Sequence, residues 1–407
     1  MGKVGVRRRA SGGPSARAVT SRRRRRTRLR FWLVLGLVAA AGGGVGAVFA
    51  APVLAPARVV PEVPDSYLFP GTPPVLPWPA SGQAVLAFDG LGQLGASGPV
   101  TKAVPIASVA KVLTAYQVLA DHPLAPGETG PALTVSREQA ASYWGQVAKG
   151  ESVVPVRAGE RITERDALDA LLLASADNVA QILARWDAGS VPAFLVRLNR
   201  SAAELGITHS TYTDPSGLDA ATVSTAPDQL LLAKAAMRIP AFAQLVAQKQ
   251  AVIPVAGPIR NFNSLLGRDG VVGIKTGSTM AAGGCLMFAA DTPAGPGGVT
   301  RRLFGVVLGQ PGTSTTILPH ALAAAGRLVR AAGSVVSAAT VLPAGRGVAV
   351  VRQAMHADRA LAVPADVTVL GWPGLRYSLK VSGPPSAAVL TLRSEAEPDY
   401  RVVSRLR

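Results

Sequence analysis

The chain has 407 residues, 48% hydrophobic and 16% charged, which is enough apolar material for a core and excludes general disorder. The formal charge is +18, but residues 1–30 hold twelve of the basic residues and no acid; removing those leaves +6, so the charge is mostly a tail and argues against a nucleic-acid-binding body. The single cysteine, Cys285, excludes an internal disulfide framework and a cysteine zinc cluster, and the four scattered histidines form no metal-binding pattern.

After the arginines an apolar, uncharged run begins at Phe31 and continues to Ala57. A bilayer core needs roughly 20 apolar residues in a helix, so residues 31–53 are expected to span a membrane or serve as a signal. The basic tail, residues 1–30, stays on the cytoplasmic side, and everything after the span lies outside. Small residues around Val48-Phe49-Ala50 offer a cleavage site, and cleavage there would release the remainder as a secreted protein. Residues 54–80 are rich in proline and are expected to form a stiff spacer rather than a fold.

From Ser81 the pattern changes. Ala84 to Phe88 reads as a buried strand. Helical periodicity follows at 108–121, 164–186, 190–204, 226–237 and 317–332, with apolar strands at 271–276, 284–290 and 302–309. Strand, several helices, then strands again predicts an α+β fold: a mixed sheet with a helical insertion, spanning residues 81–335. Short alternating runs at 348–351, 367–370 and 390–392 predict a small β-rich segment over 336–407.

Three elements carry chemistry. Ser108-Val109-Ala110-Lys111 opens an apolar helix, and three residues of helix place hydroxyl and amine on one face. A serine needs a base, and a partly buried lysine can serve because desolvation lowers its pKa. No other lysine in the chain has a serine three residues before it. The second element is Ser175-Ala176-Asp177-Asn178, where a leucine-rich helix ends; on its own it reads as an ordinary cap or turn. The third is Lys275-Thr276-Gly277-Ser278-Thr279 at a strand end, where a lysine beside hydroxyls and a glycine makes a site for a carboxylate. Cys285 in an apolar strand reads as a small core residue, and Tyr143 and Trp144 as core packing.

In this order the three elements resemble the signature of the penicillin-recognising serine acyl-transferases, and most closely the serine D-alanyl-D-alanine carboxypeptidases. The resemblance runs from Trp78 to about Ala331 and includes Asp214-Pro215-Ser216-Gly217-Leu218-Asp219. It implies a DD-peptidase/β-lactamase-like fold, with an antiparallel sheet flanked by helices and a helical subdomain. It also implies that Ser108 attacks the penultimate D-alanine of a peptidoglycan stem peptide and that Lys111 is its base. Ser175 would relay a proton, and the amides of Ser108 and Ser278 would form the oxyanion hole. Lys275, Thr276, Gly277 and Thr279 would hold the terminal carboxylate. No metal or cofactor is implied, no nucleic-acid partner either, and β-lactams are the expected inhibitors.

One position departs from the pattern. The third residue of the second motif, asparagine in most of the family, is Asp177. An ionised aspartate cannot donate a hydrogen bond to substrate, and its charge raises the pKa of a nearby lysine. Asn178, one residue on, is a candidate to take the asparagine's place. The alternatives left open are a catalytically weak peptidoglycan- or penicillin-binding protein, a serine β-lactamase, and a basic membrane or nucleic-acid binder.

Overall fold

A computed structural model describes residues 56–294 and 299–407; the expected basic tail and span lie outside the described residues. Among the described residues no helix is long and apolar enough to cross a membrane. One compact unit, Val59–Val351 with Arg359–Arg407, holds everything described below.

Among the described residues, nine of the strands make up the central sheet and a second, four-stranded sheet, and eight α-helices surround them. The strands are β1 (Ser66–Leu68), β2 (Gln83–Phe88), β3 (Gly92–Ser97), β4 (Val271–Thr279), β5 (Gly283–Pro293), β6 (Thr300–Gln310), β7 (Arg376–Ser382), β8 (Val389–Ser394) and β9 (Arg401–Arg405). The helices are α1 (Lys111–Asp121), α2 (Arg137–Ala148), α3 (Glu164–Leu172), α4 (Asp177–Ala188), α5 (Val191–Glu204), α6 (Ala226–Ala236), α7 (Pro240–Val246) and α8 (Ile317–Ala332). A short 3₁₀ turn, Ala107–Ala110, leads into α1.

The central sheet has five antiparallel strands in the order β4-β5-β6-β2-β3, with β4 at an edge. Its strands are apolar on both faces, as expected of a sheet covered on both sides. Alternation sorts the side chains. Leu86, Phe88, Leu286, Phe288, Leu303 and Val307 pack with α8 and the C-terminal strands, while Val85, Ala87, Met287, Ala289, Val306 and Leu308 pack with α1 and α3 to α7. Truncating a fully buried member such as Phe288 to alanine would cost about 3–5 kcal/mol.

The helical pattern at 164–186 is broken into α3 and α4. Thr163 caps α3 by accepting from the Asp166 amide, and the chain turns through Ser175 at φ 59° before α4 begins. The proline-rich stretch expected to be a free spacer is partly folded. β1 pairs with β7, and Phe69 and Leu76 are buried in the core that α8 shares. Backbone pairing and burial of apolar residues there outweigh the extended preference that proline imposes. α2 buries no residue and its Trp144 is 74% exposed, so the expectation that Trp144 packs in the core is wrong.

Candidate active site

The site lies where the start of α1, the α3–α4 junction, the 214–218 loop and the edge strand β4 converge. Lys111 is wholly buried and donates from Nζ to three acceptors: Ser108 Oγ at 2.8 Å, Asp177 Oδ1 at 2.6 Å and the Ser216 carbonyl at 2.9 Å. Three donors meeting three acceptors is full satisfaction of an ammonium group.

Each acceptor is held by its own local structure. Ser108 follows Ala107, whose φ of 47° is a left-handed conformation that costs energy for a residue with a Cβ. The cost is tolerated because the neighbours fix that geometry: Gly217, at φ +77°, comes so close that a Cβ on it would lie 1.9 Å from the Ala107 carbonyl oxygen. Asp177 is the first residue of α4, where the helix dipole favours a carboxylate. Its Oδ2 accepts from the Ser152 amide at 3.1 Å and its own amide donates to the Ser152 carbonyl at 2.6 Å. Asp214 organises the third acceptor. Its carboxylate accepts from the amides of Ser216, Gly217 and Leu218 at 3.0–3.1 Å and from the hydroxyls of Ser216 and Thr222 at 2.5 and 2.6 Å. Thr114, one turn along α1 from Lys111, donates to the Pro215 carbonyl at 2.6 Å and ties the loop to the helix.

Burial pushes the Lys111 pKa down, while the charges of Asp177 and Asp214 pull it back up; burial prevails and the result is below the ordinary lysine value. The Asp177 contribution has the expected sign, toward a weaker base, but desolvation outweighs it.

β4 closes the other side. Lys275 and Gly277 stand opposite Met287 and Cys285, whose side chains lie in the core beneath the α1 helix. A Cβ on Gly277 would come within 3.0 Å of the Ser108 and Val109 amides, so glycine lets the strand edge approach the start of the turn. Ser278 follows, exposed. Lys275 is also buried, and Nζ donates to the Thr276 carbonyl at 3.1 Å. Among the described residues no carboxylate forms an ion pair with it. Burial and the neighbouring Lys111 charge push its pKa well below the ordinary lysine value, with Asp177 opposing them. The Thr279 hydroxyl accepts from the Ala282 amide in the β4–β5 turn and keeps its own proton to donate.

Of the sequence-predicted residues, the structure brings Ser108, Lys111 and Asp177 into direct contact, with Gly277 against the Ser108 backbone. Ser175 is buried at the helix junction, two residues before Asp177. Asn178 does not take the asparagine's place. Its side-chain amide donates to the Val154 carbonyl at 2.8 Å and its Oδ1 accepts from the Val154 amide at 3.2 Å, so it pins the 152–156 segment. A one-residue shift along a helix turns a side chain by about 100°, which explains the different neighbour. The sequence reading assigned no role to Asp214, Ser216, Ser152 and Thr114. Only Asp214-Pro215-Ser216-Gly217 carried a signal, the composition of an Asx turn. Cys285 is buried, and its thiol is pushed up to about 12 by desolvation, as befits a core residue.

Comparison with known proteins gives a family and a fold. The family described as D-alanyl-D-alanine carboxypeptidase matches residues 79–311. A D-alanyl-D-alanine carboxypeptidase of Mycobacterium tuberculosis, DacB2, is 35% identical over 219 residues, covering 52% of this chain and 70% of that protein. A D-alanyl-D-alanine endopeptidase of Pseudomonas aeruginosa is 30% identical over 224 residues, covering 53% and 69%. Among solved structures, the Streptomyces K15 DD-transpeptidase superposes with a TM-score of 0.54 at 26% identity, covering 64% of this chain and 98% of that one. Penicillin binding protein 5 from Haemophilus influenzae, at 19% identity, shares the fold over 83% of this chain and 98% of that one, with a TM-score of 0.58.

Proposed function

The chain belongs to the D-alanyl-D-alanine carboxypeptidase family, a family of serine hydrolases, and we propose that Ser108 is its nucleophile and Lys111 the base that activates it. The observation that carries this is the 2.8 Å contact between Ser108 Oγ and a wholly buried Lys111 Nζ. Neutral Lys111 takes the Ser108 proton as Oγ attacks the carbonyl carbon of the penultimate D-alanine of a peptidoglycan stem peptide. The amides of Ser108 and Ser278 receive the oxyanion, where one donor is typically worth about 10²–10³ in rate. The peptide C–N bond breaks, Ser175 passes the proton from Lys111 to the leaving amine, and D-alanine departs. Water then attacks the ester on Ser108, releasing the shortened peptide and restoring the hydroxyl.

Lys275 holds the substrate's terminal carboxylate, assisted by the hydroxyls of Thr276 and Thr279. Its buried ammonium spends one hydrogen bond on a backbone carbonyl, and that supports the role. Asp177 keeps Lys111 in place and, in its ionised form, offers substrate only an acceptor. A β-lactam, whose carbonyl is also an acylating centre, enters the same path and stops at the ester.

The basic residues of 1–30 followed by the apolar run at 31–53 support a single N-terminal span, with the catalytic body on the cell-wall side; cleavage near Ala50 would instead release it. Incubation with a penicillin followed by intact-mass measurement tests the site. One adduct per chain, absent from Ser108→Ala, supports the assignment, and an adduct that survives Ser108→Ala refutes it.

A further inference from the structure

The four-stranded sheet β1-β7-β8-β9 buries one face and leaves the other open. In register, Ser378 stands opposite Arg393 and Arg393 opposite Arg401, Lys380 opposite Thr391, and Ser382 opposite Val389, which in turn faces Arg405. Side chains alternate along a strand, so these share one face. The alternate set, Tyr377, Leu379, Leu390 and Leu392, is buried. The open face therefore presents Arg376, Lys380, Arg393, Arg401 and Arg405, all exposed. Among the described residues one carboxylate pairs with any of the five: Glu395 reaches Arg376 at 3.7 Å. Arg393 directly opposite Arg401 is a like-charge cross-strand pair, which weakens a sheet unless an anion lies over it. Beside that pair, Ser378, Lys380, Ser382, Thr391 and Arg393 line a shallow depression of about 280 Å³, a mixture of cations and hydroxyls suited to phosphate oxygens.

We propose that this face docks on anionic phospholipid headgroups. The inference rests on the N-terminal tether proposed above. The edge strand β1 begins at Ser66, so the chain from residue 53 to this sheet extends at most about 45 Å. A tethered body is thus confined near the membrane, and five exposed basic side chains spread over one sheet face match an array of phosphates better than a single small anion. Docking fixes the orientation of the catalytic body relative to the membrane it hangs from.

The full chain is reconstituted in phosphatidylcholine vesicles and in vesicles containing roughly one-third phosphatidylglycerol, and amine labelling of Lys380 and Lys149 is followed by mass spectrometry. Labelling of Lys380 is expected to slow by about threefold or more in the anionic vesicles and to recover at high salt, while Lys149 is unchanged. The Arg393→Glu/Arg401→Glu variant is expected to lose this protection while releasing D-alanine from a soluble peptide at the parent rate. Equal Lys380 labelling in both vesicles overturns the inference. So does protection by a soluble polyol-phosphate polymer with none by phosphatidylglycerol, which would assign the face to a wall polymer. Flotation with the phosphatidylcholine vesicles separates the two readings. A chain that does not float refutes the tether, and with it this inference; a floating chain with unprotected Lys380 refutes the docking alone.

Discussion

Lys111 and Asp177 form a buried ion pair, with Nζ 2.6 Å from Oδ1, at the same nitrogen that donates to Ser108 Oγ. Most of the resembled family would have a neutral amide at this aspartate. The pair stabilises the charged lysine while burial opposes it, and on the proposed role of Lys111 as base the reactivity of Ser108 depends on that balance.

Replacing Asp177 with asparagine removes the charge that raises the Lys111 pKa and restores a donor toward substrate. The acidic limb of the pH dependence of kcat/KM is expected to move to lower pH, and penicillin acylation at neutral pH to be at least as fast as in the parent. A limb that stays in place or moves to higher pH would show that Asp177 does not act through the Lys111 charge.

Lys275→Met should separate binding from stability. On the proposed role a carboxylate anchor is lost, so kcat/KM for a peptide ending in D-Ala-D-Ala is expected to fall about 10²-fold or more, the worth of a charge-assisted contact in a buried site. The fold should gain about 1–2 kcal/mol, because a buried amine with a single backbone hydrogen bond is replaced by an apolar chain of similar length. Peptide kinetics and urea denaturation check both halves, and unchanged kinetics would remove Lys275 from the site.

Gly277→Ala puts a methyl group within 3.0 Å of two backbone amides at the Ser108 turn. Backbone must shift by a few tenths of an ångström, and misplacement of this kind is expected to cost about 10- to 100-fold in acylation rate. The stability loss should be only about 1 kcal/mol. Penicillin acylation kinetics alongside a thermal melt distinguish this from general unfolding.

Glu164 provides a pH test away from the site. It is wholly buried at the start of α3, neither carboxylate oxygen has a hydrogen-bond partner, and desolvation with nearby Asp187 raises its pKa to about 7. A carboxyl raised from 4.5 to about 7 holds its proton longer when folded. Its stabilising contribution is therefore complete below pH 4.5 and is lost as pH rises through 7. Glu164→Gln should be more stable than the parent at pH 8, by on the order of 2 kcal/mol, and close to it at pH 4.5. Parallel denaturation curves at the two pH values check this, and an equal difference at both would refute it.

The spacing of Ser108 and Lys111, the Lys275-Thr276-Gly277 strand end, and four of the five central sheet strands were legible because they rest on local periodicity; β3, with Gly92 and Gly95, has no apolar run to read. α8 occupies the span that its apolar repeat predicts, Ile317–Ala332. Three features were not legible, each for a physical reason. The apolar pattern from Leu171 through Leu183 continues across Ser175, so the left-handed joint between α3 and α4 leaves no trace in periodicity. α2 buries nothing, so it has no apolar face to read. The sign of the Lys111 shift depends on how completely the fold removes water, and no spacing rule reports that. Asp214 was visible as part of the family resemblance, but its role in aiming the Ser216 carbonyl at Lys111 is a tertiary contact across 105 residues of sequence.

The most direct measurement is D-alanine release from a peptide ending in D-Ala-D-Ala, by the full chain and by its Ser108→Ala form. The expected result is steady release by the parent, with the shortened peptide formed in equal amount, and none above background from the variant. Undiminished release by a folded Ser108→Ala protein, or none from a folded parent that still binds penicillin, would contradict the assignment of Ser108 and Lys111 as the machinery of a working carboxypeptidase.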